Sequence, residues 1–383
     1  MSRLYNKYDE KQKPLKCYLS NSKWYKESGT FNPRGILLHD TSADNVYLHR
    51  YVMPADNDPN KDELIELLGN NPNHNDWNHG GKDKDAGLHF VGAIADGSTV
   101  TTLQTADWTK RPWGCGGGRF GSLNDTHIQW EMCQDDRKSV KYFGDVYEES
   151  IQLAAYLCTM FKIDPHGTFQ YKGYTIPTIC CHWDAYLIGW NGIPIYKSGS
   201  KGGFGSSHTD IYDWDAMYDY LGLSMKEIYG NPYKINPLDN PVFNRIRDDI
   251  EKAMKEPRPV YEDGWRMIDG KWYYYKDGVA IKNDWVKWKG SWYYLGDNGV
   301  MVTGKLVING KTYFFNDYGV MAQDEWVEGC FADMTGSTLA RGGEWKNEER
   351  GTWFTDKSGW YPKNRVVRID GVDYKFDAQG YLC

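Results

Sequence analysis

Gly35-Ile-Leu-Leu-His39-Asp40 reads as a short apolar strand that ends on an imidazole with a carboxylate beside it. Two further strands read the same way, His89-Phe-Val-Gly-Ala-Ile94 and Thr126-His-Ile-Gln-Trp-Glu131-Met132, and a fourth, Thr178-Ile-Cys-Cys181, ends at His182. Between them residues 144–163 predict a helix, carried by Ile151-Gln-Leu-Ala-Ala-Tyr-Leu-Cys-Thr-Met-Phe161. Strands interleaved with helix over residues 30–222 predict an α/β domain of ordinary size.

Chemistry-bearing residues fall at the ends of these elements. Three of the nine histidines stand beside acidic residues: His39-Asp40, His182-Trp-Asp184 and His208-Thr-Asp210. In an extended segment, residues two apart point to one side, so His208 and Asp210 would face one site in different roles. A catalytic zinc needs three N, O or S ligands and one open position for water. His39, His182 and one of the 208/210 pair would supply them, although these residues form no compact spacing motif. Glu131 closes a strand among bulky apolar groups. It reads either as a general base whose pKa burial would raise, or as the partner of a buried Arg or Lys.

After residue 260 the pattern changes. Gly270, Gly290 and Gly310 recur every 20 residues, opening Gly-Lys-Trp-Tyr-Tyr, Gly-Ser-Trp-Tyr-Tyr and Gly-Lys-Thr-Tyr-Phe-Phe. A second turn follows each cluster, so every unit predicts a β-hairpin. The period returns at Gly351 and Gly371, while residues 328–350 break it. Lone hairpins cannot bury an aromatic face, so the units predict a stacked solenoid with a shared core, a binding architecture. Between the two regions lie Pro232, Pro237, Pro241, Pro257 and Pro259, around a stretch in which Phe243, Ile246, Ile250 and Met254 recur at helical spacing. That reads as a linker with an amphipathic helix whose stripe docks locally, on either domain, or on another copy. The expected division is therefore 1–224, 225–262 and 263–383.

Composition narrows the function. Of the 383 residues, 45 are Lys or Arg and 52 Asp or Glu, giving a net charge of −7, which argues against a nucleic-acid partner held through phosphates. Seventeen tryptophans and 29 tyrosines exceed what a core of this size needs, so rings are expected on display in the repeats. Met1–Lys13 is polar and offers neither a secretory signal nor a membrane span, so a protein made in the cytoplasm and acting outside it would be expected to leave by another route, such as lysis. The eight cysteines show no CxxC pair and read mostly as buried small hydrophobes.

From Gly35 to Trp214 the chain resembles the zinc-dependent peptidoglycan amidases, the family of N-acetylmuramoyl-L-alanine amidases, phage endolysins and peptidoglycan recognition proteins. Gly35-Ile-Leu-Leu-His39-Asp-Thr resembles the family's first zinc-ligand strand, and Asn124 to Cys133 the strand with its catalytic glutamate. Cys181-His182-Trp and Ser207-His208-Thr-Asp210 resemble the second and third ligand sites. Ala86-Gly-Leu-His89-Phe-Val resembles the strand crossing the substrate groove, and Leu103-Gln-Thr and Trp113-Gly-Cys-Gly the groove loop. The resemblance implies a mixed central β-sheet flanked by helices, Zn2+ held by His39, His182 and Asp210, Glu131 as general base, His208 steadying the oxyanion, and His89 and Trp113 along the groove. Two departures stand out: relatives commonly read Trp-His where this chain has Trp113-Gly114, and residues 54–85 and 189–206 are longer inserts.

The repeats are similar to choline-binding cell-wall repeats, with Gly264-Trp265 as the opening pair. Trp265, Trp272, Trp285, Trp292, Tyr294 and Tyr313 would then box a quaternary ammonium, while Lys305 and Thr312 leave a third box incomplete. About half of these rings are expected to fill the shared core instead. The implied partners are peptidoglycan and a wall polymer, choline-decorated teichoic acid being one candidate. Homodimers through the repeats or the linker helix, a non-catalytic recognition protein, and a phage or a bacterial origin all remain open on the sequence.

Overall fold

The computed structural model describes the chain except residues 1–3, 11, 80–85, 190–200, 207, 209, 225–234, 257–258, 260 and 269, and except the side chain of residue 210. It divides into two compact units, Met1–Pro259 and Val260–Cys383.

The first unit is built on β1 (Leu15–Lys16), β2 (Gly35–Asp44), β3 (His89–Ala93), β4 (Val100–Gln104), β5 (His127–Gln134) and β8 (Ile179–Cys181). These form one six-stranded sheet in the order β1-β4-β3-β5-β2-β8. β3, β5, β2 and β8 run parallel, and β4 runs antiparallel to β3. A small hairpin, β6 (Thr168–Tyr171) and β7 (Tyr174–Pro177), precedes β8.

Side chains alternate across this sheet, and the two faces have different companions. Ile36, Leu38, Ile128 and Trp130 point to the face covered by α3 (Val140–Phe161). That helix starts at Ser139, whose hydroxyl accepts from the Tyr142 N–H, and it stops at Lys162, which turns left-handed at φ 56°. Leu37 and Phe90 point the other way, into smaller clusters with Cys115, Leu123 and Phe204 on one side and Trp24, Leu64 and Leu88 on the other. α1 (Lys23–Glu27), α2 (Lys61–Leu68), α4 (His182–Leu187) and α5 (Asp215–Leu221) complete the unit with α6 (Pro241–Lys255). Among the described residues no helix is long and apolar enough to cross a membrane.

α6 is the helix whose stripe appears in the sequence between the two regions. Asn240 caps it by accepting from the Phe243 N–H, and Pro241 occupies the first turn. Val242, Phe243, Ile246, Ile250 and Ala253 are buried in the same core as α3, so the first compact unit runs through to Pro259. The stripe is covered within the unit and is not a face for pairing copies. Of the eight cysteines, all free, six are buried.

The second unit is a succession of hairpins: Gly264–Ile268 with Lys271–Lys276, Asp284–Trp288 with Ser291–Leu295, Gly304–Ile308 with Lys311–Phe315, and Glu344–Glu348 with Gly351–Thr355. The turns place two successive residues left-handed, as at Lys289 and Gly290 (φ 48° and 89°) and Asn309 and Gly310 (φ 49° and 75°). That geometry matches the twist of tight hairpins and explains the recurring glycine. Units are stitched by Met301 N–H to Trp272 O and by Met321 N–H to Trp292 O, both 2.8 Å, at the 20-residue period. In the irregular segment, Cys330–Ala332 and Thr338–Leu339 extend the strand Glu325–Val327, which pairs in parallel with Arg365–Ile369 to give a five-stranded sheet.

Candidate functional site

The register of β2 against its neighbours assembles the site. Parallel pairing sets His39 directly beside Glu131 on β5, and Leu38 beside Cys181 on β8. Paired residues share a face, so His39 and Glu131 project together from the side opposite α3. His182 follows β8 at once as the first residue of α4, and its ring stands edge-on to that of His39 with centroids 5.1 Å apart. The exposed His208 ring lies 5.0 Å from that of His182. His182 thus stands against two other imidazoles, and Glu131 stands beside His39.

Several contacts hold these side chains. His39 Nε2 meets Gln129 Oε1 at 2.9 Å, Gln129 Nε2 donates to Asn124 Oδ1 at 3.0 Å, and His182 Nε2 lies 3.2 Å from Ser206 Oγ. Asp184 secures the start of α4: its carboxylate accepts from the Cys181 N–H and from the Tyr212 hydroxyl, each at 3.2 Å. Burial pushes the Asp184 carboxyl up to about 7, against the pull of the Cys181 N–H, Arg247 and Tyr212. His39 and His182 are buried, while Glu131 is half-buried with its Oε2 shielded from solvent.

Two imidazoles and a carboxylate are the donor set that a hydrolytic zinc takes, and the first two stand close enough to share an ion. Among the described residues no group of three such ligands gathers; the side chain of the expected third, Asp210, lies outside them, and its backbone opens the short helical turn Asp210–Asp213.

His89 is placed elsewhere, which corrects its expected position in the groove. It pairs with Trp130 on β5 and so points to the α3 face, away from Glu131. There it packs against Trp108 at 4.4 Å, and its Nδ1 accepts from the Thr105 N–H. Burial lowers its pKa to about 3, so it stays neutral. Trp113 is half-buried against the Leu88 and Phe90 cluster, and the adjacent Gly114 lies against Gln129 and His39.

In the second unit the rings are set as repeated corners. Trp265 meets Trp272 at 6.4 Å and 88°, and Tyr293 of the next hairpin at 4.9 Å and 65°. One repeat on, Trp285 meets Trp292 at 6.4 Å and 89°, and Tyr313 at 4.9 Å and 66°. Tyr294 instead pairs across its own hairpin with Trp285, at 5.1 Å. The ring completing the first corner is Tyr293, which the period could have picked out, since it lies 20 residues before Tyr313. A similar pair, Trp345 and Tyr374 at 4.8 Å and 68°, links the end of the irregular segment to the last hairpin. Within that segment Arg341 supplies its own cation: the guanidinium stands 5.2 Å from Trp326, 5.7 Å from Phe331 and 5.5 Å from Trp360, and is ion-paired with Asp356.

A sheet presenting histidines and a glutamate is followed along the chain by a region of repeated aromatic corners. The sequence profile of the N-acetylmuramoyl-L-alanine amidases matches residues 29–191, that of the choline-binding repeat residues 282–326, and that of a putative cell wall binding repeat residues 263–278. The first unit is therefore an N-acetylmuramoyl-L-alanine amidase domain, and the second carries choline-binding repeats. No protein of curated function matches the chain.

Similar solved structures include the choline binding domain of Spr1274 in Streptococcus pneumoniae (34% identity over 20% of this chain and 95% of that one, TM-score 0.20). The modular autolysin LytC from Streptococcus pneumoniae is 20% identical over 31% of this chain and 33% of that one, TM-score 0.17. The multimodular pneumococcal cell wall endolysin from phage Cp-1, complexed with choline, is 28% identical over 26% of this chain and 30% of that one, TM-score 0.18. The chain thus spans about a third of the length of the autolysin and of the endolysin.

Proposed function

We propose that the first unit is a zinc-dependent peptidoglycan hydrolase that cuts the amide between N-acetylmuramic acid and L-alanine of the stem peptide. The observation that carries this reading is the His39–Glu131 register beside His182, which sets two ligand-type imidazoles and one carboxylate on a single face. His39, His182 and Asp210 would hold the zinc. When bound, zinc supplies Lewis-acid polarisation of the scissile carbonyl and acidifies water. Glu131 takes the proton from the attacking water and returns it to the departing amine. His208, exposed and 5.0 Å from the His182 ring, donates to the developing oxyanion. The products are the lactyl-sugar acid and a peptide with a free amine.

Two readouts test this together. Metal analysis of the purified protein is expected to find about one zinc per chain, with chelation removing both metal and activity. Mass spectrometry of digested walls is expected to show glycan strands separated from intact stem peptides. Cleavage within the glycan or within the peptide would remove the amidase reading.

The corners Trp265-Trp272-Tyr293 and Trp285-Trp292-Tyr313 are proposed as sites for the quaternary ammonium of choline on a wall polymer, making the chain a lytic enzyme of the endolysin or autolysin type. A cation over such rings is stabilised by about 0.5–2 kcal/mol per well-placed face. Trp285→Ala should therefore weaken binding to choline-bearing walls by about 2–30-fold, while leaving cleavage of soluble muropeptides intact. Retention on walls that free choline fails to release would point to another polymer.

A further inference from the structure

Gln129 is fully buried one turn of the pleat from Glu131, and its surroundings settle which way its amide faces. The Cys115 backbone N–H donates to Asn124 Oδ1 at 3.0 Å, so that atom is the amide oxygen. Gln129 approaches the same oxygen at 3.0 Å, which only its NH2 end can do. Its own oxygen is thereby turned onto His39 Nε2 at 2.9 Å. An amide oxygen only accepts, so Nε2 of His39 carries the hydrogen and the lone pair of the neutral ring stands on Nδ1.

We propose that Gln129 is a positioning residue for the reaction: it fixes the tautomer and the tilt of His39, so that Nδ1 is the nitrogen offered to the metal. The inference rests on reading His39 as a ligand, and it extends that reading to a named atom. Gly114 belongs to the same device. A Cβ at that position would stand 2.4 Å from Gln129 Oε1, 2.6 Å from Leu88 Cδ2 and 3.1 Å from His39 Nε2. Any side chain there drives the carboxamide off the imidazole, so the glycine and the glutamine are a matched pair. The chain Cys115 N–H, Asn124, Gln129, His39 runs from the groove loop to the ligand, which makes the geometry of that loop part of the metal site. Ligating histidines are commonly held in this way, through the second ring nitrogen, and loss of the outer partner typically costs about 10–100-fold in metal affinity.

The test is nitrogen-resolved NMR of the imidazoles in full-length, metal-free protein, at a pH where they are neutral, together with zinc affinity measured by chelator competition. Wild type is expected to show His39 with its hydrogen on Nε2. Gln129→Leu should lose that preference and weaken zinc by about 10–100-fold. Gly114→Ala should reproduce Gln129→Leu. Wild-type His39 protonated on Nδ1 would overturn the proposal without any variant, as would Gln129→Leu with tautomer and affinity unchanged. If the tautomer shifts as expected but wild type binds no zinc, His39 is not a ligand, and the control of its ring by Gln129 still stands.

Discussion

On the proposed mechanism, Glu131→Gln will retain zinc and fold and lose about 10²–10⁴-fold in the rate of amide cleavage, the range over which a positioned general acid–base acts. The amide is isosteric with the carboxylate, and Glu131 is half-buried on a central strand, so the packing of β5 against β2 and β3 is undisturbed. What changes is chemical: a neutral amide neither takes a proton from water nor returns one to the leaving amine. Register makes the assignment specific. Glu131 is directly opposite His39, on the same face, and adjoining carboxylates are held elsewhere: Asp40 lies one residue on, alternating to the other face, and Asp184 caps α4. Zinc content and release of stem peptide from purified walls, measured on the same preparation, check the result. Wild-type turnover in the variant would remove Glu131 from the mechanism.

Much of the catalytic unit was legible because its signals are local. The apolar runs read up to His39 and Glu131 lie within β2 and β5, which continue to Asp44 and Gln134 rather than ending there, the run before His182 is β8, and the helix read at 144–163 is α3 at Val140–Phe161. Which residues meet across the sheet is not local. His89 lies in a strand as apolar as that of His39, and only register, one position out of step with Glu131, sends it to the α3 face. Gln129 escaped notice for a related reason. An uncharged amide inside a strand carries no spacing signature, and its role depends on Asn124 and Gly114, which reach it only through the fold. In the repeats the 20-residue period supplied the hairpins, yet the choice between Tyr293 and Tyr294 turns on which ring faces the preceding hairpin. Alternation within one strand decides that, and the cluster Trp-Tyr-Tyr is aromatic on both faces.

A chain ending at residue 224, where the proline-bearing stretch begins, should fail to fold, while one ending at Pro259 should melt cooperatively. The difference is α6. Removing it uncovers the core that Val242, Phe243, Ile246 and Ile250 seal, and each such side chain contributes about 1.5–3 kcal/mol when buried. Together they amount to roughly 6–12 kcal/mol, the size of a whole domain's stability. Polar ties go with them. Tyr147 on α3 loses the carboxylate of Asp249, and Ile179 O on β8 loses the Arg247 guanidinium, now 2.9 Å away. β8 is the edge strand that leads directly into His182, so even a lesser lesion should reach the site. Arg247→Met, which leaves buried carbonyls without their donor, is expected to cost about 1–3 kcal/mol and to weaken zinc retention before it unfolds the unit. Circular dichroism melts of the two truncated chains and of the variant, with zinc content read in parallel, decide the matter. A cooperative transition in the 224-residue chain near that of the longer one would show that α6 is a passenger on the amidase domain, with the core sealed by α3 and α5 alone.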